Sequence, residues 1–169
     1  MKNKTTFKIV LSSLLLAILF FQEEVLSFLP GIQFTFLLLF VYGAVLDFKW
    51  GSLIVIAHVI LDNLIMGSFV IHIIIPMFVG YYLSFIFGYL AKKRIILTSF
   101  LCALSIIVYT QAFALSSVII YHIDYFVYMA SDIPYTIILI CFSVITIIWL
   151  YNPLVKVLEK IITKQNNSF

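Results

Sequence analysis

The placement of charge constrains this chain more than any other feature of it. All ten Lys and Arg residues fall at four places: Lys2, Lys4 and Lys8; Lys49; Lys92, Lys93 and Arg94; and Lys156, Lys160 and Lys164. Between them run apolar stretches, and five of the seven acids (Glu23, Glu24, Asp62, Asp124 and Asp132) lie at the opposite ends of those stretches. A helix crosses a bilayer with about 20 mainly apolar residues, fewer where neighbours shelter it. The pattern predicts an all-α membrane protein, a six-transmembrane-helix bundle with one basic and one acidic end.

Composition supports the same class. The chain of 169 residues is 64% hydrophobic and only 10% charged, against about 25% charged in soluble domains. No Gly, Ser or Pro-rich linker divides it, so a single integral membrane domain over residues 1–169 is expected. The net charge of +3 comes from bases at membrane-flanking sites, which orientation explains without a nucleic-acid partner. Cys102 and Cys141 lie in apolar runs without metal or redox spacing and read as small core hydrophobes. The first apolar run leads into Glu23-Glu24 with no small-x-small pattern, so a retained first helix is expected rather than a cleaved signal peptide.

Breakers set the expected helices at about 7–29, 33–46, 52–66, 72–91, 95–121 and 131–150. Pro30-Gly31 ends the first, since proline restricts its predecessor and glycine frees the backbone. A turn over Asp47-Phe48-Lys49-Trp50-Gly51 follows the second, with Trp50 suited to an interface. Gly67-Ser68 ends the third, and Pro76 falls in the first turns of the fourth, where a missing amide costs least. Asp132 is the expected N-cap of the sixth, with Pro134 in its first turn. After Asn152-Pro153, apolar and lysine faces predict an interfacial tail over about 154–163. Six crossings bring both termini and every Lys and Arg to one side, which the positive-inside rule makes cytoplasmic.

An acid inside a bilayer costs about 2.5–3.5 kcal/mol at a helix centre, which makes Glu23-Glu24 and Asp62-Asn63 the first functional candidates. Their position in the outer third of their helices fits the lining of an outward-opening pocket. The outer halves also supply Gln33, His72, Tyr81, Tyr109, Gln111, Ser116, Tyr121, Asp132 and Tyr135. Aromatic faces with a few hydrogen-bonding groups suit a small-molecule site. We take Glu23, Gln33, Asp62, Asn63, His72, Tyr81, Gln111, Tyr121, Asp132 and Tyr135 as its residues. His58 stands four residues before Asp62, spacing that permits a His–carboxylate bond, but no recognised metal-ligand spacing accompanies it and no metal or cofactor is expected. Glu23-Glu24 opens a pattern of membrane prenyl-endopeptidases that fails at Phe28, where arginine is required. No GxSxG, P-loop, HExxH or GxGxxG motif occurs, so no enzyme is expected. At the basic end of helix 1, Ser13 and Ala17 form a small-xxx-small pair that lets another helix approach closely.

Taken in order, several stretches resemble the substrate-binding S component of energy-coupling factor (ECF) vitamin transporters. They are Gly31-Ile32-Gln33-Phe34-Thr35, Tyr42-Gly43-Ala44-Val45-Leu46, the helix end from Asp62 to Gly67, Ile75-Pro76-Met77-Phe78-Val79-Gly80, Asp132-Ile133-Pro134-Tyr135, and Tyr151-Asn152-Pro153-Leu154-Val155-Lys156. The resemblance implies a multi-pass protein of the bacterial plasma membrane that captures a vitamin or related nutrient from outside. It also implies a transmembrane coupling subunit and two cytosolic ATPase subunits as partners, with Ser13 and Ala17 standing where the family carries its AxxxA docking motif. The acidic, base-free outer half favours neutral or cationic nutrients over anionic ones.

Two other classes share part of this pattern. A structural membrane subunit of a bacterial cell-shape complex matches in length and helix number, but Gln33-Phe34-Thr35 stands where its apolar-proline-aspartate start of helix 2 is expected. A small secondary transporter would carry coupling acids near the midplane, whereas Glu23, Asp62 and Asp132 lie towards one surface.

Overall fold

The computed structural model describes residues 2–65, 67, 69–92 and 94–166, with side chains described between 4 and 164 of these. Six helices follow one another: α1 (Lys2–Leu26), α2 (Thr35–Val45), α3 (Phe48–Ile65), α4 (Ile71–Ala91), α5 (Ile95–Tyr121) and α6 (Tyr125–Asn166). No strand occurs among the described residues. Five of the helices are long and apolar enough to cross a membrane. Ile96, Phe126 and Trp149 are each more than three-quarters exposed, an inversion of the soluble pattern that lipid contact explains.

The exception is α2, whose 11 residues reach only about 17 Å. It is the hub of the bundle, packing against each of the other five helices and burying Phe36, Leu37, Leu39, Phe40 and Val41. Its start falls two residues later than expected because Gln22 of α1 fixes it there. The Gln22 amide donates to Leu19 O at 3.0 Å and to Thr35 Oγ1 at 2.8 Å, and its carbonyl accepts from Phe34 N at 2.8 Å. A side chain from a neighbouring helix thereby does the work of an N-cap, which Phe34 cannot. Tyr42 adds a second tie by donating its hydroxyl to Leu15 O at 2.9 Å.

The crossing of α2 over α4 depends on two glycines. A Cβ on Gly88 would lie 2.5 Å from Phe40 O, and one on Gly43 would overlap Phe85 O and approach Tyr89 N to 2.7 Å. Each glycine therefore meets the other helix's backbone directly, the contact that small residues permit in membrane bundles.

Other boundaries correct the sequence reading. Helix α1 ends at Leu26 rather than near 29, and its chain leaves through turns bonded Leu29 N to Leu26 O and Ile32 N to Leu29 O. The turn expected over 47–51 shrinks to Leu46-Asp47, because Trp50 and Gly51 donate back to Asp47 O and start α3 at once. The expected end of that helix at Met66 lies outside the described residues. Helix α5 has the predicted bounds.

The largest change is α6, which runs 42 residues instead of about 20. Asp124, not Asp132, caps it: Asp124 Oδ1 accepts from Phe126 N at 2.9 Å and Val127 N at 3.1 Å. Pro134 and Pro153 lie inside the helix, a placement membrane helices tolerate when neighbours satisfy the freed groups. The residues expected as a separate tail, 154–163, continue the same helix and pack Val155, Leu158 and Ile162 on the core.

A similar accommodation holds Pro76 in α4. Lacking an amide hydrogen, it leaves His72 O without its usual partner, and Ser116 of α5 donates its hydroxyl to that oxygen at 2.8 Å. Replacing Ser116 by alanine is expected to destabilise the protein by about 1–3 kcal/mol, read as a lower melting temperature by circular dichroism in detergent. An unchanged melt would show that the carbonyl finds another donor.

The two ends of the bundle sort by charge. Lys8 Nζ lies 2.5 Å from Asp47 Oδ2 at one end, where Ile162 of α6 lines the same hollow. Glu23, Glu24, Asp62 and Tyr135 gather towards the other.

Candidate functional site

Among the described residues a hollow enters the bundle at each end. One, about 430 Å³, lies at the basic end among Lys4, Lys8, Ser12, Asp47, Trp50 and Ile162. Its carboxylate is paired with Lys8, and both side chains are exposed. The smaller, about 290 Å³, lies at the acidic end between α1, α3, α4, α5, α6 and the α1–α2 connection. Only the second combines carboxylates, stacked aromatic rings and buried polar atoms that lack partners. That combination is what a recognition site needs and a packing defect does not have.

Glu23 is the keystone of this cavity. It projects from the last turns of α1, its side chain 14% exposed, and Oε1 accepts the Tyr81 hydroxyl of α4 at 2.8 Å. Its other oxygen stands 2.8 Å from His58 Nε2 of α3, within ion-pair distance but without hydrogen-bond alignment. The His58–Asp62 bond that the i, i+4 spacing permits is not made; the imidazole turns to α1 instead. It also stacks on Tyr81 at 5.5 Å.

Asp62 is left with an open valence. It is 2% exposed, lines the cavity, and its Oδ1 accepts no hydrogen bond. Gln33 Nε2, on the chain entering α2, is likewise buried without an acceptor. Native interiors seldom leave such atoms unpaired, and a ligand or water is the usual completion.

Part of the cavity wall is aromatic. Tyr81 and Tyr109 stack with centroids 5.5 Å apart and planes 9° from parallel, and Phe113 meets Tyr109 edge-on at 5.0 Å. Gly80 makes room for this arrangement, since a Cβ there would fall 2.5 Å from the Tyr109 ring. Tyr135 of α6 closes the cavity on the remaining side, with Ile73 and Met77 as apolar filling.

The structure brings Glu23, Gln33, Asp62, Tyr81 and Tyr135 together around one space. It sets the other five expected site residues elsewhere in the packing. Asn63 turns inward, donating to Val59 O at 2.8 Å and Met77 Sδ at 3.4 Å. His72 pairs with the Tyr121 hydroxyl at 2.8 Å near the surface. Gln111 bonds Tyr125 and Met129, and Asp132 accepts from Thr136 Oγ1 at 3.1 Å. Ser13 and Ala17 are both exposed along the outer face of α1.

Glu24, a candidate beside Glu23 from the sequence, lines the cavity, as do Phe113, Met77 and Ile73, which sequence reasoning did not include. These three are apolar residues in apolar helices and carry no signal of their own. Tyr109 carried one, as an aromatic in the outer half of α5, and belongs with the site. Among the described residues no group of three His, Cys, Asp or Glu is arranged to hold a metal ion. No family model, curated protein or solved structure matches the chain.

Proposed function

We propose that this protein is the substrate-capture subunit of an ECF-type importer, binding a small neutral or cationic nutrient in the acidic-end cavity from outside the cell. The observation that carries the reading is the cavity itself: buried Asp62 and Gln33 atoms without partners, sharing it with an aromatic wall, on a chain without an ATP-binding motif. Such a protein can select a solute but needs a separate energy source. The basic end would face the cytoplasm, and the exposed Ser13 and Ala17 would seat a helix of the coupling subunit, which joins two ATPase subunits.

The test is affinity purification of the full chain from its native membrane, followed by mass spectrometry of bound small molecules and of associated proteins. The expected result is one retained nutrient together with a coupling subunit and ATPases. Ser13→Leu should release the protein partners and leave the nutrient bound. Preparations without ligand or ATPases that carry cell-wall scaffold proteins instead would establish the structural role.

A further inference from the structure

The acidic-end cavity holds more negative charge than its own residues can balance. Glu23, Glu24 and Asp62 line it, and no Lys or Arg does. Among the described residues the only basic side chain paired with these acids is His58, and it faces Glu23, whose other oxygen is already engaged by Tyr81. Asp62 is thus left, almost wholly buried, with Oδ1 unpartnered. A buried carboxylate in that position requires either a proton or a positive group brought from elsewhere.

The neighbouring wall decides between them. The Tyr81 and Tyr109 rings, with Phe113 beside them, line the same space as Asp62. Aromatic faces attract a cation through their quadrupole, and more strongly where water is excluded. A carboxylate with rings beside it offers a positive nitrogen both a hydrogen-bond acceptor and π-faces, whereas a protonated Asp62 would use only one of these. The rings are too close together, at 5.5 Å, to admit a planar group between them, so the ligand lies along the wall. The volume of about 290 Å³ sits at the low end of the usual range of about 300–1,000 Å³ for small-molecule sites, the size of a single-ring compound.

We infer that the ligand is a small organic cation, a protonated amine or cationic nitrogen heterocycle with one ring, whose positive nitrogen bonds Asp62 Oδ1 while its ring lies along Tyr81, Tyr109 and Phe113. Gln33 Nε2, which also lacks a partner, donates to an acceptor on the same molecule. The inference rests on the capture reading for its biological meaning and on the cavity alone for its chemistry.

Three probes of nearly equal shape test it: benzylammonium, benzyl alcohol and benzoate, titrated calorimetrically into the full chain in nanodiscs of zwitterionic lipid. Benzylammonium should bind saturably, benzyl alcohol at least about tenfold more weakly, and benzoate not at all. Asp62→Asn should reduce benzylammonium to the level of the alcohol. Tyr109→Leu should weaken the cation several-fold and Tyr109→Phe hardly at all, which keeps the test decisive if Asp62→Asn does not fold. Equal binding of cation and alcohol, tighter binding of benzoate, or no saturable binding of benzylammonium each overturns the inference. A co-purified neutral nutrient would overturn it while leaving the importer reading intact. Cation-selective binding by a protein that never associates with ATPases would do the reverse.

Discussion

Gly88→Val is expected to lower the stability of the protein by about 3 kcal/mol or more, the upper part of the range for overpacked interiors. Two effects oppose each other at this site. Any side chain improves on glycine's helix propensity, by up to about 1 kcal/mol. Against that, a Cβ at 88 would stand 2.5 Å from Phe40 O, and a backbone carbonyl in the middle of a helix cannot rotate away as a side chain can. Helices α2 and α4 would have to separate, and α2 is the element the whole bundle packs around. A graded series settles the origin: Gly43→Ala and Gly88→Ala should melt below the native protein, and the valine variants lower still. Melting temperatures that rise along the series would mean that propensity, not close approach, governs the pair.

Glu23→Ala has the next largest expected effect, about 2–3 kcal/mol of stability, with loss of ligand retention. The change removes the acceptor of the Tyr81 hydroxyl and the counter-group of His58, whose side chain is wholly buried. The charge-assisted bond from Tyr81 contributes about 1.5–3 kcal/mol, and the imidazole left without its counter-group makes no hydrogen bond among the described residues. Coupling gives the test its edge. If Glu23 and His58 act as a unit, Glu23→Leu combined with His58→Leu should cost less than the two single changes added together, because an apolar pair leaves nothing unpaired. Strict additivity in thermal melts would show that the two side chains are independent.

Much of the helical frame was legible because lipid enforces a simple rule. Apolar runs between charged punctuation located every helix, and α5 has the bounds that its flanking residues suggested. Asp62 was legible for the same reason, as an acid where acids are expensive. Proline misled at both ends of α6. Asp132 ahead of Pro134 has the form of a helix start, yet Asp124 supplies the cap eight residues earlier and the helix passes through both prolines. Local sequence cannot distinguish a proline in a first turn from one inside a membrane helix whose neighbours compensate, as Ser116 does for Pro76. Cross-helix pairing was hidden for a related reason. The spacing of His58 and Asp62 is a property of one helix, whereas the partner His58 takes belongs to α1, 35 positions earlier in the chain. Gln22 is a similar case, a polar residue in an apolar run whose purpose appears only when the start of α2 arrives beside it.

The brevity of α2 has a consequence for the size of the acidic-end cavity. A bilayer interior is about 30 Å deep, and 11 residues fill only about 17 Å of it. The helix begins at the depth of Gln22, so the interior above that point is filled by the 31–33 connection and by the hollow it borders. The chamber is therefore an unfilled length of helix, not a gap carved by small side chains. One more turn on α2 would occupy about 5.4 Å of that column and close it; one turn fewer would deepen it by the same step. The size of the cavity in this architecture is set by insertion and deletion at the α1–α2 connection, in increments of whole turns, while the carboxylate and the rings that line it stay where α3, α4 and α5 hold them.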